Sequence, residues 1–269
     1  MIAFIKTVTA EIKKQHKNYF HNKTIYISLF IWPLLSFITT YYGFQAFDLS
    51  KCKVTYITSD NVVVYLLLGY MCMSFFRSLV QSAWRFSFER FNGTLELIYL
   101  SPSNRVAVLL GNAVSSLFES VFVIVIFTVF MLVIKAEVIY VQLLPCLAVF
   151  LIVTGMAVVW GIFLNSLFLF SRDSGFLFTI LEEPMEIFSG VKVPTLLFPL
   201  WAKAIAAIFP LTYAIEAVRR VMLLGSSLYD IRGFLLVGAF IIILLIIAIL
   251  LILKLVERHV RTTGNMALF

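Results

Sequence analysis

The chain has 269 residues, of which 62% are hydrophobic and only 13% are charged. A soluble domain is roughly half apolar and a quarter charged, so this composition excludes a water-soluble enzyme and a disordered chain. It predicts a polytopic helical membrane protein, in which the net charge of +7 indicates basic cytoplasmic loops rather than nucleic-acid binding.

Residues 1–23 do not have the pattern of a signal peptide, because lysines are spread through them and they have no long apolar core. At about 100° per residue, Ile5, Val8, Ile12 and Tyr19 lie on one side of a helix and three lysines lie opposite. This pattern predicts an amphipathic helix on the membrane surface, with its lysines toward anionic headgroups. The alternative is a solvated lead-in to the first span.

Six apolar stretches within residues 24–269 are each long enough to cross a bilayer as a helix. They are residues 24–47, 61–84, 106–134, 138–171, 174–193 and 233–253. Three of these predicted spans contain charged residues, which are Arg77 in the second, Glu119 in the third, and Glu182, Glu183 and Glu186 in the fifth.

Residues 194–232 are apolar in pieces but are interrupted by prolines. The ten residues between Pro199 and Pro210 make about 15 Å of helix, half the thickness of a bilayer. Short apolar segments broken by proline predict a re-entrant hairpin between spans five and six, which leaves both termini in the cytoplasm. The alternative is a seventh span with the C-terminus outside, and counting Lys and Arg by loop barely separates the two.

The predicted cytoplasmic loop at residues 85–105 contains a short helix flanked by charges of both signs. Gly93 should break the preceding helix, and Thr94 is suited to N-cap a new helix over residues 95–100. This shape suits docking into a groove on a soluble partner, whereas the alternative is a helix that rests on lipid. The residues of interest are Glu89, Arg90, Gly93, Thr94, Leu95 and Glu96.

The Glu-Arg-x-x-Gly-Thr-Leu-Glu run at residues 89–96, followed by Ser101-Pro102, resembles the coupling loop of the ABC type-two transporter permease family. A second marker resembles that family's pattern of a Ser-Gly and proline at the end of span five, a re-entrant hairpin that shapes the outer gate, and a Pro-x-Thr helix with an arginine at its end. Its residues are Ser189, Gly190, Pro194, Pro199, Pro210, Thr212 and Arg219. With the six-span layout, the two markers cover nearly the whole chain, but the acidic cluster in span five departs from the family's usual apolar segment.

The resemblance implies a permease subunit of an ABC transporter. Two such subunits, identical or related, would form the pore, and two copies of a separate ATPase subunit would dock beneath them. No Gly-x-x-x-x-Gly-Lys-Ser/Thr phosphate loop occurs in the sequence, so we expect no enzymatic activity and no cofactor in this chain, with ATP and Mg on the partner. The expected location is a prokaryotic plasma membrane, where the chain contacts lipid and no nucleic acid.

Each charge inside a span costs about 2.5–3.5 kcal/mol at mid-bilayer, so it needs a partner or a water-filled cavity. Counting 1.5 Å per residue puts Arg77, Glu182 and Glu183 at similar depths, roughly 10–14 Å above the cytoplasmic face, and Glu119 and Glu186 near mid-membrane. A pair of Arg77 with Glu182 or Glu183 is therefore possible, and Arg77 is a poorer partner for Glu119 and Glu186. One interpretation is that Arg77 reaches the headgroups while the carboxyls are protonated or hydrogen-bonded in the bundle. The other is that these five residues are candidates for the translocation pathway, where the carboxylates form an acidic patch on the pore wall suited to a cationic or polar-headed substrate.

Other polar positions are less specific. Pro184 should kink span five, and Asn112 and Asn165 are expected to form hydrogen bonds between helices. The histidines and cysteines have no metal-ligand spacing, so no metal site is expected.

The function indicated most strongly is export of a hydrophobic or amphipathic substrate, such as a drug, peptide or lipid-like molecule. A proton-coupled secondary transporter that uses the intramembrane carboxylates is one alternative. Export of a glycan chain through an aromatic-lined channel is another, given that 16% of the residues are aromatic. A membrane enzyme or non-transporting scaffold is the third.

Overall fold

The structure, a computed structural model, describes residues 2–20, 23–45, 61–133, 142–170 and 174–263. All regular structure in these residues is helical, which confirms the all-α prediction for them. The α-helices are α1 (Ile2–Gln15), α2 (Lys23–Gln45), α3 (Val62–Phe91), α4 (Thr94–Leu100), α5 (Arg105–Ser115), α6 (Leu117–Val133), α7 (Leu143–Phe170), α8 (Ser174–Phe188), α9 (Leu200–Ala206), α10 (Pro210–Leu224) and α11 (Leu228–Thr263). A π-helical turn (His16–Phe20) follows α1, and a 3₁₀ turn (Thr195–Leu197) precedes α9. The predicted loops at residues 48–60, 135–137 and 172–173 lie outside the described residues.

Helix α3 lies at the centre of the bundle and packs against α6, α7, α8 and α10. Helix α3 has 83% of its apolar stretch buried, against 11% in α11. Its fully buried side chains include Tyr65, Phe76 and Phe86. Helix α11 packs against α7 and α10, and most of its apolar surface is not covered by the described part of the chain.

Four stretches of helix in the described part of the chain are long and apolar enough to cross a membrane. They are Val62–Glu89, Arg105–Leu132, Leu143–Leu167 and Leu228–Val256. Helices α9 and α10, bent by 93° at their junction, make a fifth candidate if they form one span. The prediction of six spans is therefore confirmed only in part, since α2 and α8 are not among these candidates. The 15 residues of α8 extend about 22 Å, less than the hydrocarbon thickness.

An ion pair and a groove define one side of the bundle, which we call the α4 side. Lys14 Nζ of α1 lies 2.8 Å from Glu89 Oε1, near the end of α3. A groove on the same side is lined both by residues 101–106, which follow α4, and by Lys254 near the end of α11. The end of α3, the start of α5 and the end of α11 therefore lie together.

The opposite ends of these helices define the far side. Arg219 of α10 donates a hydrogen bond to the carbonyl oxygen of Gly190, just after α8, and to the hydroxyl of Tyr65 in the first turn of α3. The side chain of Gln142, before α7, donates to the carbonyl oxygen of Gly225, between α10 and α11. Helices α9 and α10 therefore leave α8 and return to α11 on the same side of the bundle.

Candidate functional site

A seam of charged side chains joins α3 to α8 inside the bundle. Arg77 forms ion pairs with Glu182 and with Glu186, whose Oε2 lies 3.6 Å from Nη2. Lys192 Nζ lies 2.9 Å from Glu186 Oε1. The depths counted along the helices make Glu182 or Glu183 a possible partner of Arg77 and Glu186 a poorer one. In the structure Arg77 hydrogen-bonds Glu182, whereas Glu186 is the more distant partner, which the guanidinium reaches across one 5.4 Å helical turn.

The acidic residues of α8 point in two directions. Glu182 and Glu186 are four residues apart and face α3, whereas Glu183 is rotated by about 100° and is exposed. Within the described residues, no hydrogen bond or ion pair joins the Glu183 side chain to another residue. Helix α8 continues through Pro184. The structure therefore brings two of the three α8 carboxylates together with Arg77 and leaves Glu183 facing outward.

Glu119 lies apart from this seam, in the first turn of α6. Its Oε1 accepts a hydrogen bond of 2.7 Å from Arg85 Nη1, and the side chain is fully buried. Arg85 also lies over the ring of Tyr19, 5.3 Å from its centroid, and so connects the π-helical turn to α3 and α6. The structure thus pairs Glu119 with Arg85 rather than with Arg77.

Buried polar side chains connect α3, α5, α6 and α7 on the α4 side of the core. Asn112 Nδ2 donates a hydrogen bond of 2.7 Å to Asn165 Oδ1, which confirms the predicted contact between helices. Asn112 also donates to the carbonyl oxygen of Ser82 at 3.3 Å, and the hydroxyls of Ser78 and Ser120 lie 2.6 Å apart. These hydrogen bonds hold α3, α5, α6 and α7 together between the charged seam and the α4 side. No three His, Cys, Asp or Glu side chains in the described ranges come together to hold a metal ion.

The short helix after α3 begins one residue earlier than predicted. Thr94 is its first residue, and the N-cap is Gly93, which has φ = 68°. The prediction that Thr94 caps this helix is therefore wrong. Its hydroxyl instead reaches back to the carboxylate of Glu89 and to the Glu89 carbonyl oxygen, at 3.0 Å. The chain turns at Gly93 in the left-handed region, where glycine is favoured, and Thr94 fastens that turn to α3.

Helix α4 presents an exposed apolar edge on the α4 side. Leu97 is 66% exposed and Leu100 is 83% exposed, whereas Ile98 packs against the core. Arg90, Leu95 and Glu96 were also predicted to belong to the coupling loop at residues 85–105, but their side chains lie outside the described residues.

Helix α1 packs along α5 with a polar face that sequence reasoning did not identify. Glu11 and Gln15 are buried, and Gln15 Nε2 donates to Glu11 Oε1 at 2.8 Å. A Cβ added at Gly111 of α5 would lie 2.7 Å from the Cβ of Glu11, so glycine is needed for this close approach. Ile5, on the predicted apolar side, remains exposed.

Lys14 links α1 to the segment that carries α4. Its Nζ lies 2.8 Å from the carboxylates of both Glu11 and Glu89. Burial lowers the pKa of Lys14, but the two carboxylates outweigh burial, so its pKa is raised above the usual 10.5. Lys14 is therefore positively charged at physiological pH.

On the far side, Arg219 holds three segments together although its side chain is buried. Its guanidinium donates to the carbonyl oxygens of Gly190 and Val191, each at 2.7 Å, and to the hydroxyl of Tyr65 at 2.8 Å. It also lies over the Tyr65 ring, 3.5 Å from the centroid. A Cβ at Gly69 would lie 2.4 Å from Arg219 Nη2 and 2.5 Å from the Val191 carbonyl oxygen, so this arrangement requires glycine there.

The remaining predicted gate residues lie between α8 and α10. Pro199 precedes α9, and Pro210 begins α10 after the 93° bend. The Thr212 hydroxyl donates to the Ala206 carbonyl oxygen at 2.6 Å and so closes this bend. The structure therefore places the seven predicted gate residues in one connection on the far side, which are Ser189, Gly190 and Pro194 after α8, Pro199 before α9, and Pro210, Thr212 and Arg219 in α10.

Residues 7–223 match the ABC-2 type transporter family. No curated protein matches the chain. The family match extends from α1 through the central bundle to α10, so it includes the Arg77 seam, α4 and the Arg219 contacts. The chain therefore belongs to the ABC-2 type transporter family, and it is a multi-pass membrane component of ABC-type transport.

Proposed function

We propose that the chain is the permease subunit of an ATP-driven exporter in the cytoplasmic membrane of a prokaryote. It moves a hydrophobic or amphipathic substrate, such as a drug, peptide or lipid-like molecule, outward. The observation that carries the proposal is an ABC-2 bundle with a short, exposed helix, α4, anchored at one side. ATP and Mg bind to two copies of a separate ATPase subunit, and a second permease subunit, identical or related, completes the pore.

In the proposed topology, six spans place both termini and the α4 side in the cytoplasm. The return of α9 and α10 to the far side supports a re-entrant hairpin rather than a seventh span. So does the groove shared by residues 101–106 and Lys254, because a seventh span would carry the end of α11 to the other membrane face. Helices α2 and α8, which also run between the two sides, complete the six.

Coupling runs from α4 into the bundle through α3. The exposed Leu97 and Leu100 form the contact edge for the ATPase, and the turn at Gly93 transmits its movement. Helix α3 continues from this turn to Arg77, twelve residues before Glu89, a distance of about 18 Å along the helix. A tilt of α4 therefore reaches the charged seam through one continuous helix.

Glu183 is the proposed contact for a cationic group in the pathway. A carboxylate exposed on a membrane helix requires water, a neighbouring subunit or a cationic ligand rather than lipid. Glu182 and Glu186 already neutralise Arg77 and Lys192, so these two residues hold α8 in position. The five pathway candidates thus divide into one contact residue, Glu183, and ion pairs that support the structure.

The mode of energy coupling is testable in inverted vesicles from cells that produce the chain together with its ATPase. We expect ATP to drive uptake of at least one compound from a panel of cationic and neutral amphipathic dyes. Collapse of the proton gradient should leave this uptake unchanged. Uptake that needs the gradient and persists without ATP would instead identify a proton-coupled transporter.

A further inference from the structure

The carboxylate of Glu89 joins three helices at the turn that carries α4. Its Oε1 lies 2.8 Å from Lys14 Nζ of α1, and its other oxygen, Oε2, contacts the hydroxyl of Thr94, the first residue of α4. Glu89 itself belongs to α3, and its side chain is partly buried. One side chain therefore connects α1, α3 and α4.

Helix α4 depends on neighbouring segments for its orientation. Its seven residues are too few to be stable as an isolated helix in water. It packs mainly against α3, and its N-cap residue, Gly93, provides no side-chain hydrogen bond to the first turn. Along α4, Ile98 packs against the core, whereas Leu97 and Leu100 are exposed. The contact between Thr94 and Glu89 therefore has a large share in fixing the angle of α4.

Lys14 extends from a helix that is held in place separately. In α1, Glu11 lies against Gly111 of α5, and Gln15 donates a hydrogen bond to the Glu11 carboxylate. Lys14 Nζ lies 2.8 Å from an oxygen of Glu11 as well as from Glu89 Oε1. Without this cation, the two carboxylates would face each other and repel. The ammonium group therefore sets the position of the Glu89 carboxylate relative to α1 and α5.

We propose that Lys14 is a positioning residue for α4. By holding Glu89 between α1 and Thr94, it fixes the angle at which α4 presents Leu97 and Leu100. Loss of the cation frees the Glu89 carboxylate, so α4 adopts a wider range of angles. The importance of this angle for the ATPase rests on the proposed function, whereas the orientation of α4 in the chain itself does not.

The test is the distance between nitroxide spin labels at Leu100→Cys on α4 and Leu255→Cys on α11, both exposed positions. It uses the detergent-purified chain without ATPase, with its three native cysteines replaced. Lys14→Met should raise the fraction of molecules outside the main distance about two- to fivefold, as loss of a partly exposed ion pair predicts, and Lys14→Arg should restore it. Lys13→Met, which removes an exposed lysine without an ion pair in the described residues, is the matched control. An equal effect of Lys13→Met would overturn the proposal.

A second label pair, Thr9→Cys on α1 with Leu255→Cys, separates positioning of α4 from attachment of α1. If Lys14 only attaches α1, Lys14→Met should broaden this second distance and leave the distance from Leu100→Cys unchanged, which would overturn the proposal. Thr94→Val keeps the ion pair and removes the hydroxyl, so it should broaden only the distance from Leu100→Cys. An unchanged distance in Thr94→Val would exclude the connection through Glu89.

The consequence for coupling is measured in vesicles that contain the unlabelled chain with its ATPase. Lys14→Met should lower the amount of substrate transported per ATP hydrolysed, whereas Lys13→Met should not. An unchanged ratio in Lys14→Met, despite broadened α4 distances, would overturn the role of Lys14 in coupling. If no ATPase accompanies the chain while the α4 distances broaden as expected, the proposed function fails and the positioning of α4 by Lys14 is supported.

Discussion

Arg219 illustrates how one buried side chain organises the far side. An unpaired buried charge costs several kcal/mol, but carbonyl oxygens after the end of α8 and the Tyr65 ring surround this guanidinium. The C-terminal end of a helix also carries partial negative charge, which favours a cation there. The residue therefore fixes α10 and the turn after α8 to α3.

Gly69→Ala should destabilise the protein by about 2–3 kcal/mol, because the new methyl group overlaps both Arg219 and the Val191 carbonyl oxygen. Thermal unfolding of the purified chain measures the effect. Gly233→Ala is the control, since a Cβ there meets nothing within 4 Å. Equal melting temperatures for the two variants would mean that the contact around Arg219 is not close.

Glu182→Gln should lower stability, whereas Glu183→Gln should lower transport. Glu182 is 4% exposed, and its loss leaves Arg77 with weaker compensation, so stability should fall by about 3 kcal/mol. Glu183→Gln should leave stability unchanged and reduce the export of cationic compounds per inserted molecule. Transport assays normalised to protein amount, together with melting curves, separate the two. Unchanged transport per inserted molecule in Glu183→Gln would remove Glu183 from the pathway.

The contact of Arg77 could be predicted from the sequence, whereas the contacts of Arg219 could not. Arg77, Glu182 and Glu183 lie inside predicted spans, where charges must be compensated, so depth alone suggested a pair of Arg77 with Glu182 or Glu183. Arg219 meets Tyr65, which is 154 residues away in the chain, through carbonyl oxygens and an aromatic ring. No local pattern encodes such a contact, so only the family resemblance marked Arg219.

At the scale of elements, α1, α3 and α4 form one connected unit. Helix α3 runs past the predicted end of its span to Phe91, because Phe86 and Ser87 in its last turns are buried by the protein rather than exposed to water. Hydrophobic periodicity predicted the α1 helix. It did not show that Glu11 and Gln15 pack inward. Hydrophobic periodicity shows which face of a helix is polar, but not whether that face contacts protein or water.

Gly93→Val should abolish transport while the protein still inserts, because a β-branched residue does not fit φ = 68°. Gly93→Asn is the matched control, since asparagine tolerates the left-handed region, and it should retain most activity. Transport per inserted molecule is the measurement. Similar activity in both variants would mean that this turn does not transmit the movement of the ATPase.

Lys14→Met should weaken the attachment of α1 by roughly 0.5–1 kcal/mol, because the ion pair is partly exposed. The raised pKa of Lys14 means that its contribution is complete below pH 10.5 and is lost only as pH rises above that value. The difference in unfolding free energy between wild type and Lys14→Met should therefore be constant from about pH 6 to 9. A difference that changes within this range would exclude the Lys14 ion pairs as its cause.

At the scale of the whole molecule, the proposed topology places Ser226 outside the membrane and Thr262 in the cytoplasm. In a chain whose three native cysteines are replaced, Ser226→Cys should react with an impermeant thiol reagent added outside the cell. Thr262→Cys should react only after the membrane is opened. Labelling of Thr262→Cys from outside would mean seven spans and would contradict the hairpin.

The central claim is that a separate ATPase drives this bundle through α4. The most direct measurement is ATP hydrolysis by the complex purified from native membranes, compared with the Leu97→Asp/Leu100→Asp variant. We predict that the wild-type chain purifies with one ATPase per permease chain and hydrolyses ATP, whereas the variant inserts normally but loses both the ATPase and the activity. A wild-type chain without any ATPase, or a variant that retains it, would contradict the account.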